Sequence, residues 1–97
     1  MNEDTQYRLL FDDPVKLFES GKYKKSLKRI VKKVVAQGHY DDALTKDLLQ
    51  QCKQDFYIDL LPKIQQNYQP AYSLLLPFFE RVVYAHCISL VAKLTLQ

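Results

Sequence analysis

An all-α architecture, a compact bundle of three main helices plus a short N-terminal helix, is expected of this chain on three grounds. Apolar residues recur at spacings of three and four, which gives helices with one buried face. The 97 residues include only two glycines and four prolines, so helical runs are rarely interrupted. The apolar share of 47% suffices for one hydrophobic core, and the length fits a single domain spanning 1–97.

The elements follow in order. Asp13-Pro14 reads as a helix start, with aspartate as cap and proline in the first turn, and the short helix should stop near Gly21. Residues 22–37 form the clearest helix, because Tyr23, Leu27, Ile30, Val31, Val34 and Val35 make one apolar stripe. Gly38 is expected to end it through the left-handed conformation that glycine adopts freely. Asp41 or Asp42 can cap the third helix. Its buried face is drawn from Leu44, Leu48, Cys52, Phe56 and Leu60, broadened by Leu49, Tyr57 and Leu61. Pro62 should kink or end it, and Gln65-Gln66-Asn67-Tyr68-Gln69-Pro70 reads as a polar loop. A last helix from about residue 70 to residue 95, bent at Pro77, is apolar nearly all round. That pattern makes it the expected central, most buried element.

Little in the chain suits catalysis. His39 and His86 belong to no HExxH or Cys/His metal spacing, and Gly21 and Gly38 stand alone rather than in a phosphate-cradling loop. The acids Asp41, Asp42, Asp47, Asp55 and Asp59 fit a solvated helix face better than a catalytic pair. No enzyme, cofactor or metal is therefore expected. Cys52 and Cys87 are expected to be reduced core residues, since two thiols on apolar helical stretches make no disulfide framework. The N-terminus has no apolar signal region. Residues 71–92 are interrupted by Glu80, Arg81 and His86, which argues against a membrane span. A cytoplasmic setting without membrane contact is expected.

The net charge of +3 conceals a segregated pattern. Residues 1–21 carry five acids and two bases, residues 22–33 seven bases and no acid, and residues 41–59 five acids and two bases. Three candidate binding surfaces emerge. The first is the polar face of the second helix, with Lys22, Lys24, Lys25, Lys28, Arg29, Lys32 and Lys33 available to phosphates; a merely solvated face is an equal alternative. The second is the amide-rich loop, whose Tyr68 and Tyr72 can stack on bases, or else pin the loop to the core. The third is the run Asp47-Leu48-Leu49-Gln50-Gln51, which can dock against a partner helix.

That last run resembles the D-L-x-Q-E signature of region 2 in bacterial RNA polymerase sigma factors of the sigma-70 family, extracytoplasmic-function type. The segment Phe78-Phe79-Glu80-Arg81-Val82-Val83-Tyr84-Ala85-His86-Cys87-Ile88-Ser89-Leu90-Val91-Ala92-Lys93 is similar to that family's W-L-x-R-I-A-x-N-x-x-I-D-x-x-R-K helix. The resemblance covers about residues 14–95. It implies a region 2-like fold and a transcription-initiation role. Asp47, Leu48, Gln50 and Gln51 would dock on the β′ subunit of core RNA polymerase. Asn67, Tyr68, Tyr72, Arg81 and Lys93 would receive the single-stranded non-template strand of the promoter −10 element, helped by Lys24, Lys25, Lys28, Arg29 and Lys32. An anti-sigma factor is a further partner the resemblance allows, and homo-oligomers are compatible with it. The sequence departs from the pattern at Gln51 (for glutamate), Phe78 (tryptophan), Ala85 (asparagine), Ser89 (aspartate) and Ala92 (arginine). The alternative these departures suggest is a helical protein-interaction or dimerisation module that has lost DNA binding.

Overall fold

A computed structural model describes residues 2–95. Six α-helices follow one another: α1 (Glu3–Asp12), α2 (Pro14–Phe18), α3 (Gly21–Gln37), α4 (Ala43–Asp55), α5 (Leu61–Asn67) and α6 (Leu75–Thr95). A π-helical turn, Phe56–Leu60, joins α4 to α5. Among the described residues there is no strand. The molecule measures 41 × 23 × 22 Å.

Helix α1 was not foreseen. Asn2 caps it, its Oδ1 accepting from the Thr5 amide at 2.8 Å, and Glu3 and Asp4 place negative charge at its positive end. Asp13-Pro14 does start a helix, with the Asp13 carboxylate accepting from the Lys16 amide at 3.2 Å. That helix ends at Phe18, before the expected Gly21, which instead opens α3.

The stripe on α3 is buried as its spacing requires: Tyr23, Leu27, Ile30, Val31, Val34 and Val35 all lie in the core. Its end differs from expectation. Gly38 has an ordinary φ of −86°, and the left-handed residue is His39, at φ 56°. Glycine fits position 38 because a Cβ there would collide with the Tyr40 ring. At the start of α4, the Asp41 carboxylate accepts from the Ala43 amide at 2.9 Å.

Pro62 neither ends nor sharply breaks the third helical run. It sits in the first turn of α5. A proline has no N–H to return to the carbonyl four residues back, and the turn before it is π-helical, with the Leu61 amide donating to the Phe56 carbonyl. The wider turn also keeps Leu48, Cys52, Phe56, Leu60 and Ile64 on one buried face, although a spacing of four drifts around a regular α-helix.

Helix α6 begins at Leu75, later than residue 70, and Pro77 falls within its first turn. It packs chiefly on α3 and α4. It is not buried all round: Leu75, Phe79, Val83, Cys87, Leu90 and Val91 face inward, whereas Arg81, Tyr84, Ala85, Ile88, Ser89 and Ala92 are exposed. The helix is long and apolar enough to pass as a membrane span by composition, yet one face is taken up by this bundle. Phe18, Tyr23, Phe56 and Phe79 fill the centre, Phe18 stacked on Phe79 with ring centroids 5.5 Å apart and Tyr23 edge-on to Phe79 at 5.0 Å.

Candidate functional site

Burying one stripe of α3 turns its cations outward, and the packing of α3 between its neighbours sorts five of the seven into three groups. Lys24 faces α2 and pairs with Glu19 at 3.0 Å; its hydrogen bond holds the Glu19 carboxyl below the usual range. Arg29 faces α6 and pairs with Glu80, which also accepts from Ser26 Oγ at 3.5 Å. Lys25, Lys28 and Lys32 point away from both flanks. Their spacing of three and four puts them on one line of the helix, and no ion pair engages them among the described residues.

The cationic face continues onto α6 through a shallow groove of about 450 Å³, lined by Arg29, Ile30, Lys33, Pro77, Glu80, Arg81 and Tyr84. Lys33 lies over the Tyr84 ring, 5.9 Å from its centroid, and the Tyr84 hydroxyl donates to Gln37 at 3.1 Å. Arg81 rests over Phe78 at 5.7 Å. Sequence reasoning had assigned Arg29 and Arg81 to nucleic acid but missed Tyr84, which reads as one more apolar residue of α6. Lys93 is not part of this groove. It lies twelve residues beyond Arg81, about 18 Å along the axis, and its charge acts on Asp55 instead.

The loop assignments change more. Gln65, Gln66 and Asn67 belong to α5, and the connection runs over residues 68–74. Asn67 donates to the Lys63 carbonyl at 2.8 Å and remains exposed. Tyr68 is buried, contrary to the role of a stacking platform. Its hydroxyl donates to the Ser73 carbonyl at 2.9 Å, and its ring is held between Tyr7 and Phe78, at 5.9 and 5.4 Å. Tyr72, 83% exposed, is the loop tyrosine that reaches solvent.

On α4 the D-L-L-Q-Q run divides by helical geometry. Asp47 and Gln50 are exposed, while Leu48 is fully buried. Leu48 therefore corrects from a partner contact to a core anchor. Gln51 is half-buried and donates to Asp55 at 2.9 Å. Leu49 and Gln50, with Lys46, Lys53 and Gln54, line a shallow groove on α4.

Behind this surface, α4 is fixed to α6 by His86 and Asp55, whose Nε2 and Oδ2 atoms are 2.9 Å apart. Burial pushes the Asp55 carboxyl up, but hydrogen bonds from His86 and Gln51 outweigh it, and the net shift is downward. On the same seam, Cys52 and Cys87 bring their Sγ atoms to 3.4 Å. Among the described residues, no group of three His, Cys, Asp or Glu side chains is gathered as for a metal ion. No protein-family model, curated protein or solved structure matches this chain.

Proposed function

We propose that this chain is a transcription initiation factor-like binding domain that engages core RNA polymerase through α4 and nucleic-acid phosphates through α3. One observation carries the reading: the exposed Asp47 and Gln50 on α4 and the exposed line Lys25, Lys28 and Lys32 on α3 are separate, simultaneously open surfaces. A domain with this division can hold a protein with one helix and a polyanion with another. Lys33 and Arg81 extend the cationic side beyond the Arg29–Glu80 pair, and Tyr84 and Tyr72 supply accessible rings for stacking. Phosphate neutralisation gives affinity without sequence reading. The positions at which the resembled family reads bases are Ala85, Ser89 and Ala92, so selectivity for particular bases should be weak.

Replacing Lys25, Lys28 and Lys32 together by alanine tests the cationic face. With single-stranded DNA, each lost phosphate contact should flatten the slope of log affinity against log salt by about 0.7, hence by roughly two for the triple variant. An unchanged slope would remove α3 from the interface.

A second reading has its own observation. On the outer side of α6, Ala85, Ile88 and Ala92 follow Arg81 at spacings of four, three and four, and Ile88 and Leu74, which directly precedes the helix, are 46% and 58% exposed. Such a ridge fits a helix of another protein or a second copy. Under that reading the domain is an interaction module, and sedimentation of the isolated chain shows a dimer that Ile88→Glu dissociates.

A further inference from the structure

Cys52 on α4 and Cys87 on α6 are both fully buried, where two cysteines often pack simply as small hydrophobes. This pair has more specific geometry. Each sulfur is the other's hydrogen-bond partner, at 3.4 Å. Reaching a disulfide length of about 2.05 Å requires each sulfur to move only about 0.7 Å. The helices that carry them are also held in register by the Asp55–His86 pair, one turn away on α4 and at the adjacent residue on α6.

We propose that Cys52 and Cys87 are a dithiol modification site, oxidised by hydrogen peroxide to an intramolecular disulfide that ties α4 to α6. The inference does not depend on the polymerase or nucleic-acid reading. In the first step one of the two thiols loses its proton and its sulfur attacks a peroxide oxygen. The O–O bond breaks, that cysteine becomes a sulfenic acid, and the departing hydroxide takes up the proton as water. In the second step the sulfur of the other cysteine attacks the sulfenic sulfur, the S–O bond breaks, and the hydroxyl leaves as water with the second thiol's proton. Two thiols and one peroxide thus give one disulfide and two waters.

The shared hydrogen bond favours ionisation of one of the two thiols while burial opposes it, so a single thiolate forms and the other sulfur stays a thiol beside it. The thiolate is the attacking sulfur and its neighbour the resolving one. Because both are enclosed, opening of the α4–α6 seam limits the rate, and oxidation runs slower than at an exposed thiol.

The test is intact-mass spectrometry of the full chain after incubation with hydrogen peroxide, with thiol alkylation in denaturant and a thermal melt alongside. The expected product is a monomer lighter by two hydrogens, with no alkylatable thiol and a thermal midpoint raised by on the order of 10 °C, reversed by a phosphine reductant. Cys52→Ala and Cys87→Ala should each abolish that rise. Should either variant fail to fold, peptide mapping of the oxidised wild type decides alone, by finding the Cys52 and Cys87 peptides joined. Persistent alkylatable thiols, a gain of oxygen without cross-linking, or disulfide-linked dimers in place of the monomer would each overturn the proposal.

Discussion

Asp55 and His86 illustrate how single side chains fasten α4, which carries one candidate surface, to α6. Asp55 favours its ionised form in the folded state, since its carboxyl is held below the ordinary value. The resulting stability is complete above the unfolded carboxyl value of about 3.9 and is lost as pH falls through the lower folded value. Asp55→Asn should thus cost about 1–2 kcal/mol near neutrality, and the deficit relative to wild type should shrink as the pH is lowered past 4. Urea unfolding at pH 7 and pH 3 measures both. Tyr23 makes the same point deeper in the core. Its buried hydroxyl donates to Gln6 of α1, and burial raises the phenol's pKa. Tyr23→Phe should destabilise by about 1 kcal/mol, as read by the urea midpoint, because it removes the donor while keeping the ring against Phe18 and Phe79.

At the scale of elements, the ending of α3 and the junction between α4 and α5 are where backbone chemistry matters most. His39 carries the left-handed conformation, which costs a residue with a Cβ about 1–2 kcal/mol. His39→Gly should stabilise the protein by roughly 0.5–1 kcal/mol after the entropy of a more flexible unfolded chain is allowed for; a thermal melt showing a lower midpoint would contradict this. How far the sequence disclosed these elements depended on the signal. The stripe of α3 and the buried positions of α4 were legible because three-and-four spacing is a direct consequence of helical geometry. Helix α1 was hidden because its inward residues, Gln6 and Leu10, make too thin an apolar pattern. The π turn was hidden because Pro62 alone does not say whether a helix stops or absorbs a wider turn. Helix α6 misled for the opposite reason: apolar residues on both faces look the same in sequence whether the second face is covered or open.

Across the whole molecule, segregated charge was visible in the order of residues, but its grouping was not. Only packing shows that Arg29 is spoken for by Glu80 and Lys24 by Glu19, leaving Lys25, Lys28 and Lys32 as the accessible line. Packing likewise separates Asp47 and Gln50 from Leu48, and Tyr72 from Tyr68. The proposed function needs two outward surfaces, and the packing of α3 against α4 and α6 holds them at a fixed spacing. Retention of the purified chain on immobilised bacterial core RNA polymerase tests it most directly. Saturable retention of the wild type is expected, weakened about tenfold or more in the Asp47→Ala, Gln50→Ala double variant, a loss of about 1.4 kcal/mol, with the fold intact by circular dichroism. No retention, or equal retention of the double variant, would contradict it.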